Sequence, residues 1–137
     1  MKLRYVSVVL ALIGSLIASS PAMAKARVLR LTVVTVSHQD TKSGFIDHDS
    51  DYIGSTVIGH DTVTCTYTGK KSARCRVLFV RPSLGTISLR FRTTATASSG
   101  HGVVTGGTRA YARATGTFTY KSLNKRATRT SVVVHLT

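Results

Sequence analysis

An all-β domain, built as an antiparallel barrel or sandwich of six to eight short strands, is the fold class this sequence predicts. Three observations carry that expectation. Residues 25–137 hold twenty Thr and thirteen Val, and β-branched residues suit half-buried pleated surfaces. Apolar and polar residues alternate over several runs, the period of a sheet with one apolar and one polar face. No part of this stretch sustains a 3.6-residue period over three turns. A length of 137 residues fits one domain.

The elements follow in order. Lys2 and Arg4 precede an uncharged apolar run over residues 5–20, and Ala22 and Ala24 form a small-x-small site. This is the layout of a secretory signal peptide. The alternative is an N-terminal membrane anchor; the small residues favour cleavage after Ala24. The expected organisation is thus a signal peptide over residues 1–24 and one β-barrel domain over residues 25–137, secreted to an extracytoplasmic compartment. No second hydrophobic run approaches the roughly 20 residues that span a bilayer.

A first strand is expected over residues 27–36. In residues 61–68 the odd positions after Asp61 are Val63, Cys65 and Tyr67, and the even positions are all Thr. Residues 74–80 alternate in the same way through Cys75, Val77 and Phe79, and residues 86–92 through Ile87, Leu89 and Phe91. Gly69-Lys70-Lys71-Ser72 is a turn signal between the first two of these runs. A hairpin centred on Lys70 sets Cys65 opposite Cys75, Val63 opposite Val77 and Tyr67 opposite Ala73. Further turns are expected at 82–85, 98–100 and 106–107. A strand is expected over residues 110–121, with Ala110, Ala112, Ala114, Gly116, Phe118 and Tyr120 on one face, and a last strand over 131–136.

Cys65 and Cys75 are the only cysteines. In an oxidising compartment a disulfide between them is the default. A metal pair or a free thiol are the other options, but the spacing is not Cys-x-x-Cys and no further Cys completes a zinc site.

From Ile58 onward the chain resembles the dirigent-like and allene oxide cyclase-like barrels, in particular their small secreted bacterial members. The resemblance rests on Ile58-Gly59-His60-Asp61 leading to Cys65, on Ala73-Arg74-Cys75, and on Leu84-Gly85-Thr86-Ile87-Ser88. Its most specific part is the run from Val103 to Thr117. There Gly106, Gly107, Thr108, Ala110, Tyr111, Ala114, Gly116 and Thr117 match the family pattern, whereas Arg109 and Arg113 stand where it has glycine and Thr115 where it has arginine. The usual Gly-Asp before an apolar strand is not evident after Phe45-Ile46-Asp47. The resemblance implies an antiparallel β-barrel of about eight strands. It also implies cofactor-independent handling of a small hydrophobic molecule in the barrel mouth, by cyclisation or stereoselective coupling. Fold alone does not certify that activity.

Three groups of residues are candidates for function. Val63, Tyr67, Val77, Phe79, Ile87, Leu89, Phe91, Phe118 and Tyr120 are expected to point inward. They either fill the interior, as side chains often do in small barrels, or line a pocket. The lumen candidates for ligand binding are Tyr67, Phe79, Phe91, Phe118 and Tyr120. The second group is acidic: all five Asp lie between positions 40 and 61, interleaved with His38, His48 and His60, and the chain has no Glu. An EF-hand would need Gly at Tyr52 and Glu at Ile58, so the simple expectation is a solvated loop at the barrel mouth. The alternatives are a looser calcium or zinc site, or one Asp or His acting as an acid on a bound intermediate. No cofactor or metal is expected. Third, Arg74, Arg76, Arg90 and Arg92 fall on the polar face of a chain with net charge +14. This suits solubility and edge protection, or binding of anionic cell-envelope polymers as a non-catalytic basic protein. Nucleic acid is not expected, because the aromatics fall on the other face. With Arg113 expected on the barrel exterior, a monomer or weak oligomer is anticipated. Gly-x-Ser-x-Gly, P-loop and H-E-x-x-H patterns are all absent.

Overall fold

The alternation read from the sequence becomes the inside and outside of a closed barrel. A computed structural model describes residues 27–137; the expected signal peptide and cleavage site lie outside the described residues. Eight strands form: β1 (Arg27–Asp40), β2 (Gly44–Ile53), β3 (Thr56–Gly69), β4 (Ser72–Arg81), β5 (Gly85–Thr94), β6 (Ser99–Gly107), β7 (Gly116–Ser122) and β8 (Arg129–Leu136). They follow one another round the barrel in chain order, and β8 pairs with β1 to close it. All neighbouring pairs are antiparallel, so short connections suffice. Closure leaves no free sheet edge. Among the described residues no helix is long and apolar enough to cross a membrane.

The β3–β4 hairpin has the expected register: Cys65 faces Cys75, Val63 faces Val77 and Tyr67 faces Ala73. The two cysteines form a disulfide with a Cα–Cα separation of 4.1 Å. A loop of this length is stabilised by roughly 3 kcal/mol in the chain-entropy account. Leu31, Phe79, Ile87, Leu89, Val134 and Leu136 are among the buried core residues.

Two expectations are corrected. Residues 110–121 are not one strand. Arg109–Tyr111 form a short 3-10 turn, and β7 starts only at Gly116. Arg109 and Arg113 both have positive φ, 54° and 60°. Both lie in the left-handed region, which disfavours Cβ-bearing residues and suits the glycine that the resemblance has at these positions. Small residues at every second position imitate a strand there without supplying apolar bulk. The buried Tyr111 plugs this end of the barrel. Arg81 Nη1 donates to its hydroxyl at 3.1 Å, and the Arg27 guanidinium lies 5.3 Å from its ring centre. The second correction concerns the Asp/His segment. It is not a solvated loop: it forms the end of β1, all of β2 and the start of β3.

Candidate functional site

The barrel is not filled. A cavity of about 220 Å³ runs inside it. The cavity lies towards the end opposite Tyr111, where Phe45, the disulfide, Thr93, Ser122 and Thr130 sit. For comparison, a dry cavity of about 150 Å³ holds benzene, so a molecule of one or two fused rings fits.

One wall is aromatic. Phe91 meets Phe118 edge-on with ring centres 5.8 Å apart, and Tyr120 at 5.2 Å. These rings have room because β6 presents glycines to them. A Cβ on Gly102 would lie 2.4 Å from the Phe118 ring, and one on Gly100 would lie 2.6 Å from the Tyr120 hydroxyl. That hydroxyl donates to Thr93 Oγ1 at 3.0 Å. Of the lumen candidates, Phe79, Phe91, Phe118 and Tyr120 line the cavity. Tyr67 does not: it is 50% exposed and packs on Phe45. The irregular pairing between Tyr67 and Gly69 lies at the hairpin tip, beyond the barrel rim.

The facing wall is acidic. An Asp or His acting as an acid is one of the sequence readings of this segment, but the burial of three carboxyls inside the lumen is not expected from the sequence. Strand alternation turns Asp47, Asp49 and Asp51 of β2 to the same face. Asp49 pairs directly with Asp61 of β3, and Asp51 with Gly59. Gly59 is required here, since a Cβ on it would come within 2.3 Å of the Val80 carbonyl oxygen. Asp49, Asp51 and Asp61 are 6%, 0% and 5% exposed. Asp47, Asp49 and Asp61 reach the cavity, and Asp51 sits behind them.

No Arg or Lys lines this cavity. Oxygens of all three buried carboxyls lack a hydrogen-bond partner, an arrangement that disfavours their ionised form. Burial, and then the neighbouring Asp51 carboxyl, push Asp61 up to about 10. Burial raises Asp51 to about 6, opposed by its hydrogen bond with Asp61. Asp49 is raised by burial too, while hydrogen bonds from Thr35 and with Asp61 oppose the shift. The three shifts run in one direction, so the cluster favours holding a proton, and Asp61, the most strongly shifted of them, is the candidate acid.

Nearer the mouth, Asp47 bonds to His38 Nδ1, and Asp40 accepts at 3.2 Å from His38 Nε2. The hydrogen bond to Asp47 is the main reason the His38 pKa is raised. A bulge between Thr35 and Ser37 makes this contact possible. It shifts the parity of β1, so that His38 pairs with Asp47 on the face already used by Leu31, Val33 and Thr35. His48 instead bonds to Thr62 Oγ1 on the outside. Among the described residues no group of three or more His, Cys or Asp side chains has the geometry to hold a metal ion.

No protein-family model matches the chain, and no curated protein matches it. Solved structures do. One is a pyocyanin demethylase, 20% identical, covering 81% of this chain and all of its own, with a TM-score of 0.67. Two are pterocarpan synthase dirigent proteins, each 15% identical and covering 82% of this chain. They cover 86% and 92% of their own lengths, with TM-scores of 0.54 and 0.56. The fold is that of the dirigent-like barrels. At these identities the likeness concerns the fold alone, so the chemistry must be argued from the lumen.

Proposed function

We propose that this is an exported dirigent-like barrel whose lumen binds a small aromatic molecule bearing a carbonyl oxygen and guides its cyclisation. The observation that carries the reading is a cluster of buried carboxyls, with no Arg or Lys beside them, on one side of an apolar cavity facing an aromatic wall. Phe91, Phe118 and Tyr120 would hold the ring system. Asp61 would donate its proton to the ligand oxygen, making the attached carbon electrophilic for attack by a second group of the same molecule. The proton lost from that attacking group returns to Asp61, so the step is an isomerisation without net oxidation. Such chemistry asks of the protein orientation and one proton donor. The solved structures of similar fold include proteins named for demethylating pyocyanin and for pterocarpan synthesis, which supports a small-molecule reading.

The test uses 7-hydroxycoumarin, a fluorescent bicyclic phenol with a carbonyl, titrated into the mature protein. Saturable binding is expected. Val63→Phe, which fills a half-buried position on the cavity wall, should reduce binding at least tenfold while circular dichroism stays unchanged. Asp61→Asn should retain binding within a few-fold but abolish turnover of any cyclising substrate. Binding to the folded Val63→Phe protein at full strength would overturn the lumen as the site.

A further inference from the structure

The outer wall carries a separate feature that the lumen does not use. On β4 and β5, Arg74 stands directly opposite Arg92, and Arg76 opposite Arg90. The residues between them, Cys75, Val77, Leu89 and Phe91, point inward, so all four guanidiniums lie on the exposed face. Like charges directly opposed on a sheet destabilise it, and here two consecutive rungs repeat the arrangement. Nothing on the described chain neutralises them. All five Asp belong to β1, β2 and β3; three are buried in the lumen wall, and Asp40 and Asp47 are bonded to His38. Among the described residues no Arg or Lys is in a salt bridge. Each rung also ends on a hydroxyl, since Thr66 pairs with Arg74 and Thr64 with Arg76 on β3. Across β5, His101 lines the same groove.

The geometry points to a ligand with repeated negative groups: we propose that this arginine ladder binds a linear phosphodiester polymer lying along the strands. The guanidinium fork matches tetrahedral oxyanions in bidentate fashion. Rungs two residues apart are spaced by roughly 7 Å, which suits successive phosphates of an extended phosphodiester chain rather than one isolated ion. A base-bearing polymer is disfavoured because base stacking needs exposed rings. The ring of β5, Phe91, instead packs inward on Phe118 and Tyr120.

The experiment measures binding of fluorescently labelled poly(glycerol phosphate) to the mature protein across a range of salt concentrations. In Arg76→Gln/Arg90→Gln, which deletes one rung, affinity should fall by roughly tenfold at low salt. The slope of log affinity against log salt should fall by about 0.7, for the one phosphate that this rung no longer engages. Lys125→Gln/Arg129→Gln removes the same charge from exposed positions away from the ladder and should change affinity less than threefold. The rung variant should also melt roughly 1–4 °C higher, because a like-charge opposition is relieved. Equal losses in the two double variants would reduce the effect to net charge and overturn the ladder. A lower melting temperature in the rung variant would overturn the claim that these arginines are uncompensated. Tighter binding to oligo(dT), or to phosphatidylglycerol vesicles, than to poly(glycerol phosphate) would overturn the polymer assignment in favour of nucleic acid or of a membrane surface.

Discussion

Replacing Asp61 by Asn should stabilise the barrel at neutral pH, against the usual direction for a buried polar substitution. Asp61 has an ordinary value of 3.8 when unfolded and about 10 in the barrel. Between those values the unfolded chain has released the proton and the folded chain holds it. The folded state then binds more protons, so stability falls as pH rises. The slope approaches about 1.4 kcal/mol per pH unit. From pH 4 to pH 7 the loss through Asp61 is roughly 4 kcal/mol, of order a third or more of a small domain's total stability. Asp51, raised to about 6, contributes to the slope only up to that pH. Asn is nearly isosteric and neutral, and its amide can still donate to Asp49 or Asp51. Urea denaturation at half-unit steps from pH 4 to pH 8 separates the two groups. The wild type should keep losing stability between pH 6 and pH 8, whereas the Asn variant should lose only the smaller part that comes from His38, whose pKa is also raised in the barrel. Parallel profiles, or a variant less stable than wild type at pH 7, would refute the protonated cluster and mean that Asp61 is ionised and paired.

Two further outcomes follow from the same geometry. Gly102→Ala should cost about 2 kcal/mol in urea denaturation and weaken coumarin binding, because its Cβ would meet the Arg90 carbonyl oxygen and the Phe118 ring, both at 2.4 Å; overpacking of this kind typically costs about 1–3 kcal/mol, and an unchanged stability would mean the aromatic wall yields freely. Light scattering of the mature protein at physiological salt should give the mass of one chain, since the unneutralised outer arginines repel a second copy of the same face, and a concentration-independent mass of three chains would refute this.

The barrel is legible in the sequence where one face is apolar. Val63, Cys65, Val77 and Phe79 alternate with Thr and Arg, and Gly69 to Ser72 marks the turn, so the β3–β4 register can be read directly. β2 is poorly legible. In Asp47-His48-Asp49-Ser50-Asp51 both faces are polar, so the strand period is present without hydrophobic contrast, and a solvated loop is the natural expectation. The alternation of Asp with His and Ser is the available signal. It becomes decisive only once β1 and β3 are seen to bury one side of β2. The β1 bulge is invisible for another reason. Shifting the parity at Val36 needs no special residue, so nothing in the sequence places His38 beside Asp47. The 109–113 turn is obscured because arginines occupy positions of left-handed backbone where glycine would have announced it.

The division of charge in this barrel gives the lumen its chemistry. An inward arginine would have paired with Asp61 and held it ionised, leaving a salt bridge and no acid. Instead Arg74, Arg76, Arg90 and Arg92 are all outward, and no Arg or Lys lines the cavity beside the buried carboxyls. Protonation is then the least costly way to bury them, because an unpaired ionised carboxyl in an apolar interior costs far more than holding a proton at neutral pH. The same period-2 geometry keeps the two devices apart. β4 carries Arg74 and Arg76 outward while Cys75 and Val77 face in, and β5 carries Arg90 and Arg92 outward while Leu89 and Phe91 face in. Outer-wall substitutions should therefore act on charge recognition without reshaping the cavity, and lumen substitutions should act on the acid and the aromatic wall without touching the ladder.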